Sequence, residues 1–373
     1  MPASRREFLA AAAAFLAPRV ALGTTRAREV VLYSSVDDYL LRDVVKAARD
    51  EAALDIRLVG DTEATKTTGL VLRLLSERAN PRADVWWSSE PFGTVKLARE
   101  GVLEPYTSRA EADFAPPGAD GERPGNAGVG GWPAGLRPVD RMWYGFAPRA
   151  RVIVFNTKRV KPADAPRALR DLALPAWKDR VAMARPQFGT TRGQMALLAH
   201  LYGGDALRAW LTAMKSNGLK LYDGNSSVVR AVAFGERDAG LTDTDDVYAA
   251  QREAWPVDLA FEVVDEGDDE GRGAAAAPAA GAMGSAGPMS IPNTVARVKG
   301  GPNTDAAAAL IDFILSERVE RLLAASDSRN APIREAVKKD FPGLALRPGP
   351  VFDFAAVEAA VERAMKTCDE VLG

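Results

Sequence analysis

Three short polar clusters have residue types and spacings suited to holding a ligand. Thr190-Thr191-Arg192-Gly193 opens a predicted helix, where free backbone N–H groups and the helix dipole favour an anion. The dipole contributes only about 0.3–1 kcal/mol, so the hydroxyls and the guanidinium must supply most of the binding. The competing structural role is an N-cap by Thr190 or Thr191. Asn225 and Ser226 also precede a helix and can serve the same site, and Arg149 or Arg151 can add charge. At least one of those two arginines is expected to be a solvated strand flank. Asp243, Asp245 and Asp246 form an acidic counterpart suited to an ammonium or a metal cation. Capping of a helix by Thr242 or Asp243 would account for part of that cluster. Tyr33, Trp86, Trp87 and Tyr248 are candidates to stack on an organic ligand or cover a cation. Only one of the adjacent tryptophans can face a given side of a strand.

Other chemistries lack their parts. The 373 residues include one cysteine, Cys368, and one histidine, His200. Zinc sites with several His or Cys ligands and Cys-His nucleophile pairs are therefore excluded, and a Ser-His-Asp triad is disfavoured. Cys368 falls on the apolar face of a terminal helix and is expected to be a buried, inert thiol. His200 sits in an apolar helical stretch and is expected to pack in the core. No phosphate-loop or dinucleotide fingerprint is present, and no cofactor is expected. A net charge of −2 speaks against a nucleic-acid partner, which needs a basic stripe.

The elements that must position these clusters alternate. Strand Glu29–Ser34, helix Asp38–Ala53, strand Asp55–Val59, helix Ala64–Arg78, strand Ala83–Trp87 and helix Phe92–Glu100 predict βα units around a parallel sheet. Ligands of such sheets sit beyond the strand C-termini, which here end in Ser34-Ser35-Val36-Asp37 and Ser88-Ser89-Glu90. Residues 111–140, rich in Gly, Pro and Ala, read as a surface excursion. A strand over 143–156 then starts a second α/β block that runs to about Glu262. It contains strand Arg180–Ala184, helices Thr191–Tyr202 and Asp205–Asn217, and helix Ser226–Phe234. Gly267–Met289 is a Gly/Ala-rich tract expected to form a mobile loop.

Taken in order, these motifs resemble the ferric-ion-binding group of periplasmic solute-binding proteins. The stretches that carry the resemblance are Val31-Leu-Tyr-Ser-Ser35, Ala83-Asp-Val-Trp-Trp-Ser-Ser-Glu90, Gly101-Val-Leu-Glu-Pro105 and Gly145 through Asn156. Phe188-Gly-Thr-Thr-Arg192, Gly224-Asn-Ser226, Ile291-Pro-Asn-Thr-Val295 and Asp312-Phe-Ile-Leu-Ser316 complete it. The resemblance implies a two-lobed α/β periplasmic binding protein fold of type II, with hinge crossovers near Val152–Phe155 and Leu259–Val264. Residues 24–151 would form the first lobe, 152–262 the second, and 263–373 the return to the first lobe with the C-terminal helices. It also implies an anion at the Thr190–Arg192 turn; with the strand ends, helix starts and acidic cluster above, the candidate ligand residues are Ser34, Ser35, Asp37, Ser89, Glu90, Arg149, Thr190, Thr191, Arg192, Asn225, Ser226, Asp243 and Asp246. Relatives of that group bind iron with two adjacent tyrosines after the strand matching Ala239–Leu241. They add a histidine after the first strand and a glutamate after the third. Here the tyrosines are missing from Leu241-Thr-Asp-Thr-Asp-Asp-Val-Tyr248, the histidine position falls near Asp37, and Ser89 stands at the glutamate position beside Glu90.

The N-terminus reads as an export address. Ser4-Arg5-Arg6-Glu7-Phe8-Leu9 has the twin-arginine pattern, followed by the short apolar run Leu9–Ala17 and small residues at Ala21-Leu22-Gly23. Loss of residues 1–23 removes three arginines and one glutamate, leaving a net charge of about −4. The expected function is capture of a small ligand outside the cytoplasmic membrane, as a periplasmic monomer serving the permease of an ABC importer. A zwitterionic, phosphonate-type or phosphorylated metabolite is the favoured ligand, matching an anion-binding turn opposite an acidic loop. The alternative is ferric iron held by Asp37, Glu90 and Asp243. An exported enzyme and a binding protein that reports to a sensor kinase are the competing classes.

Overall fold

The computed structural model describes residues 28–61, 67–114, 131–264, 283–346 and 349–373. The export segment, residues 1–23, lies outside the described residues, as does most of the Gly/Ala tract. The first lobe is built from β1 (Arg28–Ser34), α1 (Asp38–Ala52), β2 (Leu54–Gly60), α2 (Thr68–Ser76), β3 (Val85–Ser88), α3 (Pro91–Arg99) and β4 (Leu103–Glu104). A long strand, β5 (Tyr144–Asn156), leads to β6 (Val181–Ala184), α4 (Gly189–Ser216), β7 (Lys220–Tyr222), α5 (Asn225–Ala233), β8 (Ala239–Asp243), α6 (Thr244–Arg252) and β9 (Val257–Ala260). The chain returns through β10 (Ser290–Val298), α7 (Thr304–Ile314), α8 (Glu317–Ala325) and α9 (Glu335–Asp340). It ends with α10 (Phe354–Glu358) and α11 (Val361–Leu372).

The strands run in the order β2-β1-β3-β10-β5-β8-β6-β7, with β4 beside β10 and β9 beside β5. β1 pairs in parallel with β2 and β3, and β6 does so with β7 and β8. These parallel sets form the two lobes, and β5 belongs to both. Up to Ala150 it pairs antiparallel with β10, and from Arg151 onward it pairs with β8. The β10 pairing shifts register between Ile291 and Asn293, opposite Ala147-Pro148. Pro148 has no N–H to donate, so a bulge in the ladder falls naturally there.

Apolar side chains fill both lobes. One cluster, including Leu32, Val44, Val85, Trp87, Tyr144 and Ile311, packs the first lobe, and another, with Val152, Val154, Val228 and Val247, packs the second. A third cluster joins them, with Trp86 and Phe92 from the first lobe packed with Met195, Leu241 and Cys368. Each such fully buried aliphatic or aromatic side chain contributes about 1.5–3 kcal/mol. α11 lies on α4, where Lys215 Nζ donates to the Val371 carbonyl at 2.7 Å and Arg208 pairs with Glu370. Cys368 is buried in this seam, and burial pushes its thiol up to about 12.

The two helices expected on either side of Gly203 are the two halves of α4, which meet in a kink at Gly203, whose φ is +85°. Other local expectations are corrected. His200 is exposed instead of packed, because it faces solvent in the turn before that kink. The stretch 111–140 is not all surface: Trp132 is fully buried and its Nε1 donates to the Gly145 carbonyl at 3.0 Å. Among the described residues no helix is long and apolar enough to cross a membrane.

Candidate functional site

The site follows from where β5 changes partners. Arg149 and Arg151 are two residues apart on one strand and so point to the same face. They flank the point where β5 passes from β10 to β8, which puts both guanidinium groups at the lobe junction. Both are buried, so neither is the solvated flank expected from the sequence. The burial is tolerated because each is paired. Arg151 Nη1 meets Asp243 at 2.8 Å and donates to Asn225 at 3.1 Å and Thr190 at 3.3 Å, while its Nε donates to Gln194 at 3.0 Å. Arg149 Nε lies 3.2 Å from Asp243 and 3.2 Å from Asp245, and its Nη1 donates to the Ser89 carbonyl. Arg149 thus bridges the first lobe to the acidic residues of the second.

Asp243 sits at the N-cap of α6 but makes no side-chain cap hydrogen bond. Its carboxylate turns toward the arginines and also accepts from Thr190 Oγ1 at 2.8 Å and Asn225 Nδ2 at 3.2 Å. Burial alone would raise this carboxyl. The Arg151 and Arg149 charges, with hydrogen bonds from Arg151 and Thr190, outweigh that and hold it below the usual carboxylate range. Burial works to lower the Arg149 value, yet the Asp245, Asp243, Asp246 and Asp37 charges together keep it above the usual arginine value. Carboxylate oxygens of Asp243, Asp245 and Asp246 lie within 4.8 Å of one another, a spacing that one cation can span.

These residues wall a cavity of about 50 Å³ between the lobes, roughly room for a few water molecules or an ion with small co-ligands. Asp37, Ser89, Arg149, Thr190, Thr191, Asn225, Asp243 and Asp246 from the sequence analysis all line it, together with Asp245. Past Asp37 and Asp246 the cavity opens into a wider groove, where Ser226 lies. The first turns of α4 and α5 border the cavity, and neither helix has a side-chain cap. Thr190 and Thr191 are inside the first turn of α4, after Phe188 at the cap, so they are not the capping residues. Arg151 Nη2 is buried with no hydrogen-bond partner among the described residues. The uncapped helix starts at the cavity suit a small anion.

Five sequence candidates are not on the cavity wall: Ser35 and Ser226, which border the wider groove, and Ser34, Glu90 and Arg192. Ser34 Oγ accepts from Val36 N at 3.2 Å, and Ser35 Oγ meets Ser88, Thr67 and Ser89 N, so both hold the strand ends in place. Arg192 donates to the Gln187 carbonyl. Both Glu90 oxygens cap α3, accepting from Phe92 N at 2.5 Å and Gly93 N at 3.0 Å, so its carboxylate serves the helix start and is not on the cavity wall. Burial pushes the Glu90 carboxyl up to about 7. The aromatic candidates are also in other roles. Trp86 and Trp87 are fully buried and donate to Thr94 and Asn293, and Tyr33 bonds Glu77. The sequence reading did not single out Asn293, Asn330 or Arg185 on the wall; Asn293 lies within a quoted motif, Arg185 follows a predicted strand end, and Asn330 lies in a segment with no motif.

Comparison with known proteins agrees with this geometry. The chain matches a family model described as bacterial extracellular solute-binding protein over residues 84–356. The Fe(3+)-binding periplasmic protein of Serratia marcescens is 28% identical over 214 residues, 57% of this chain and 56% of that protein. The match therefore spans just over half the length of that relative. Iron uptake protein A1 of Synechocystis is 27% identical over 304 residues, 80% of this chain and 74% of that protein. Among solved structures, apo ferric ion-binding protein A of Pasteurella haemolytica superposes with a TM-score of 0.74 at 20% identity. That superposition covers 93% of this chain and 98% of the other, and shows a shared fold. Two parallel-sheet lobes joined through one shared strand, with a polar cavity at the junction, are the type II periplasmic binding protein architecture, and the chain belongs to the bacterial extracellular solute-binding protein family.

Proposed function

We propose that this protein captures ferric iron, together with a small anion, between its lobes outside the cytoplasmic membrane and hands it to the permease of an ABC importer. The observation that carries the reading is the gathering of Asp245, Asp246 and Asp37 on one small cavity beside the arginine-paired Asp243. Carboxylates are hard oxygen donors suited to a hard cation. Arg149 and Arg151 offset two of the four charges, so the cavity keeps an excess of negative charge for a cation. Iron is named in both curated relatives above. The resemblance drawn from the sequence puts Asp243, Asp245 and Asp246 in the segment where the ferric-ion-binding group carries adjacent tyrosines. The co-ligand anion would sit against the first turns of α4 and α5.

This reverses the preference drawn from the sequence, which put a phosphonate-type zwitterion first and included Glu90 among the iron ligands. The anion-friendly helix starts support the zwitterion as the second reading, and the small cavity favours the ion. The test is competitive titration of the purified protein with ferric citrate, checked by elemental analysis. Wild type is expected to take up one iron, and the Asp245→Asn/Asp246→Asn pair to bind about a hundredfold more weakly. Wild type without stoichiometric iron, but with a phosphonate bound, would replace this reading with the second.

A further inference from the structure

Three asparagines line the cavity, and two of them, Asn293 and Asn330, differ in how their amides are engaged. Asn293 is fully engaged: its Oδ1 accepts from Trp87 Nε1 at 3.4 Å and its Nδ2 donates to the Ala147 carbonyl at 2.9 Å. Asn330 is equally buried, at 2% exposed, yet its Oδ1 has no hydrogen-bond partner among the described residues. A buried amide oxygen without a donor is costly unless something binds it. Asn330 lines the cavity shared with Asp243, Asp245 and Asp246.

The turn that carries Asn330 is held onto the second lobe. Asp327 pairs with Arg252 on α6 at 2.5 Å, and the Arg329 guanidinium lies 5.5 Å from the Tyr248 ring, also on α6. Ser328 is fully buried and bonds the Tyr39 hydroxyl at the start of α1. Arg329 has φ +48°, a left-handed conformation rare for arginine, so the turn keeps an uncommon backbone immediately before Asn330. α6 is the helix whose first turn bears Asp245 and Asp246. One turn of the first lobe therefore grips the helix that presents the carboxylates and brings an unengaged amide to the same cavity.

We infer that Asn330 is a ligand-contacting residue, supplying a neutral amide oxygen from the first lobe opposite the acidic residues of α6. An amide carbonyl is a hard donor compatible with a hard cation. Contact between Asn330 and the cargo links occupancy of the cavity to the Asp327–Arg252 and Arg329–Tyr248 contacts, which tie the lobes at the cleft rim. The inference rests on the ferric reading above.

The experiment is ferric citrate titration of wild type, Asn330→Ala and Asn330→Asp, with the thermal melt of each iron-free protein measured alongside. Asn330→Ala is expected to bind iron at least about tenfold more weakly with its iron-free melting unchanged or higher, since it removes an unpaired buried oxygen. Asn330→Asp, which restores an oxygen donor, is expected to bind within about tenfold of wild type. Asn330→Ala with wild-type affinity overturns the inference and leaves the carboxylate reading intact. So does an equal loss in both variants, which would mark the residue as structural. A wild-type protein that takes up no iron overturns the ferric reading itself, and this inference with it.

Discussion

The junctions β3–α3 and β8–α6 are built alike and use their carboxylates in opposite ways. Each is a buried strand end running directly into a helix with an acidic residue at the cap position, Glu90 in one and Asp243 in the other. Glu90 turns back on its own helix and accepts two backbone N–H groups. Asp243 leaves its helix uncapped and faces Arg149, Arg151, Thr190 and Asn225. The difference is set by the neighbouring strand. β8 lies against the part of β5 that starts at Arg151, which pairs in register with Asp243. β3 pairs with β1 and β10, and its only arginine contact from β5 goes to the Ser89 carbonyl. A carboxylate at a strand-to-helix junction is thus a structural cap or part of a site according to the cations that the sheet order brings to it.

The largest expected effect breaks the second junction. Asp243→Ala would leave two buried guanidinium groups short of their shared partner. Removing one member of a buried ion pair typically costs about 3–5 kcal/mol, and urea unfolding should show a loss of that order. Asp243→Asn keeps the shape and the acceptor oxygen and should lose less. Equal stability of Asp243→Ala and wild type would mean that the arginines find other partners and that the two junctions do not differ in the way described.

A middle-sized effect tests how the two regions meet. The first turn of α4, which borders the cavity, approaches α3 so closely that a Cβ at Gly193 would overlap the Phe92 ring. Phe92 is the second residue of α3, two residues after the Glu90 cap. Gly193→Ala is expected to destabilise the protein by about 1–3 kcal/mol, the usual cost of overpacking, or to hold the lobes apart. Thermal melting and small-angle scattering distinguish these. The paired change Gly193→Ala/Phe92→Leu should recover part of the loss, and if it recovers nothing the close approach is not the cause.

The fold was legible because its signals are local. Alternating strand and helix lengths, the Ser-rich strand ends and the apolar faces of α1 and α2 each sit within a window of a few residues. The candidate clusters at Thr190, Asn225 and Asp243 were legible for the same reason, since a helix start is written in its first turn. The rest depended on pairing over long sequence separations. No local pattern says that Arg151 stands opposite Asp243, 92 residues away, so at least one of the two arginines read as a solvated flank. Glu90 and Asp243 look alike in sequence, and only the sheet order distinguishes them. Asn330 lies in a turn without motif or periodicity, and its place on the cavity wall depends on the long return through β10.

The smallest effect sharpens the comparison through pH. The two capping-position carboxylates carry opposite signatures. Asp243 is held below the usual carboxylate range, so the stability it contributes is present at neutral pH and is lost as the pH falls through its folded value. Glu90 is pushed up to about 7 by burial, from an ordinary value of 4.5. Its contribution is fully present below about pH 4.5 and is lost as the pH rises toward 7. Above that the wild type keeps a buried charge that Glu90→Gln lacks. Gln retains one acceptor oxygen for the start of α3, so cap geometry is only partly changed. The melting difference between Glu90→Gln and wild type should therefore move in favour of the variant between pH 5 and pH 8, by about 2–3 kcal/mol at most. Groups common to both proteins cancel in that difference. A difference that stays flat would mean that the α3 N–H groups keep Glu90 ionised throughout, and both junctions would then hold charged carboxylates, one stabilised by a helix start and the other by arginines.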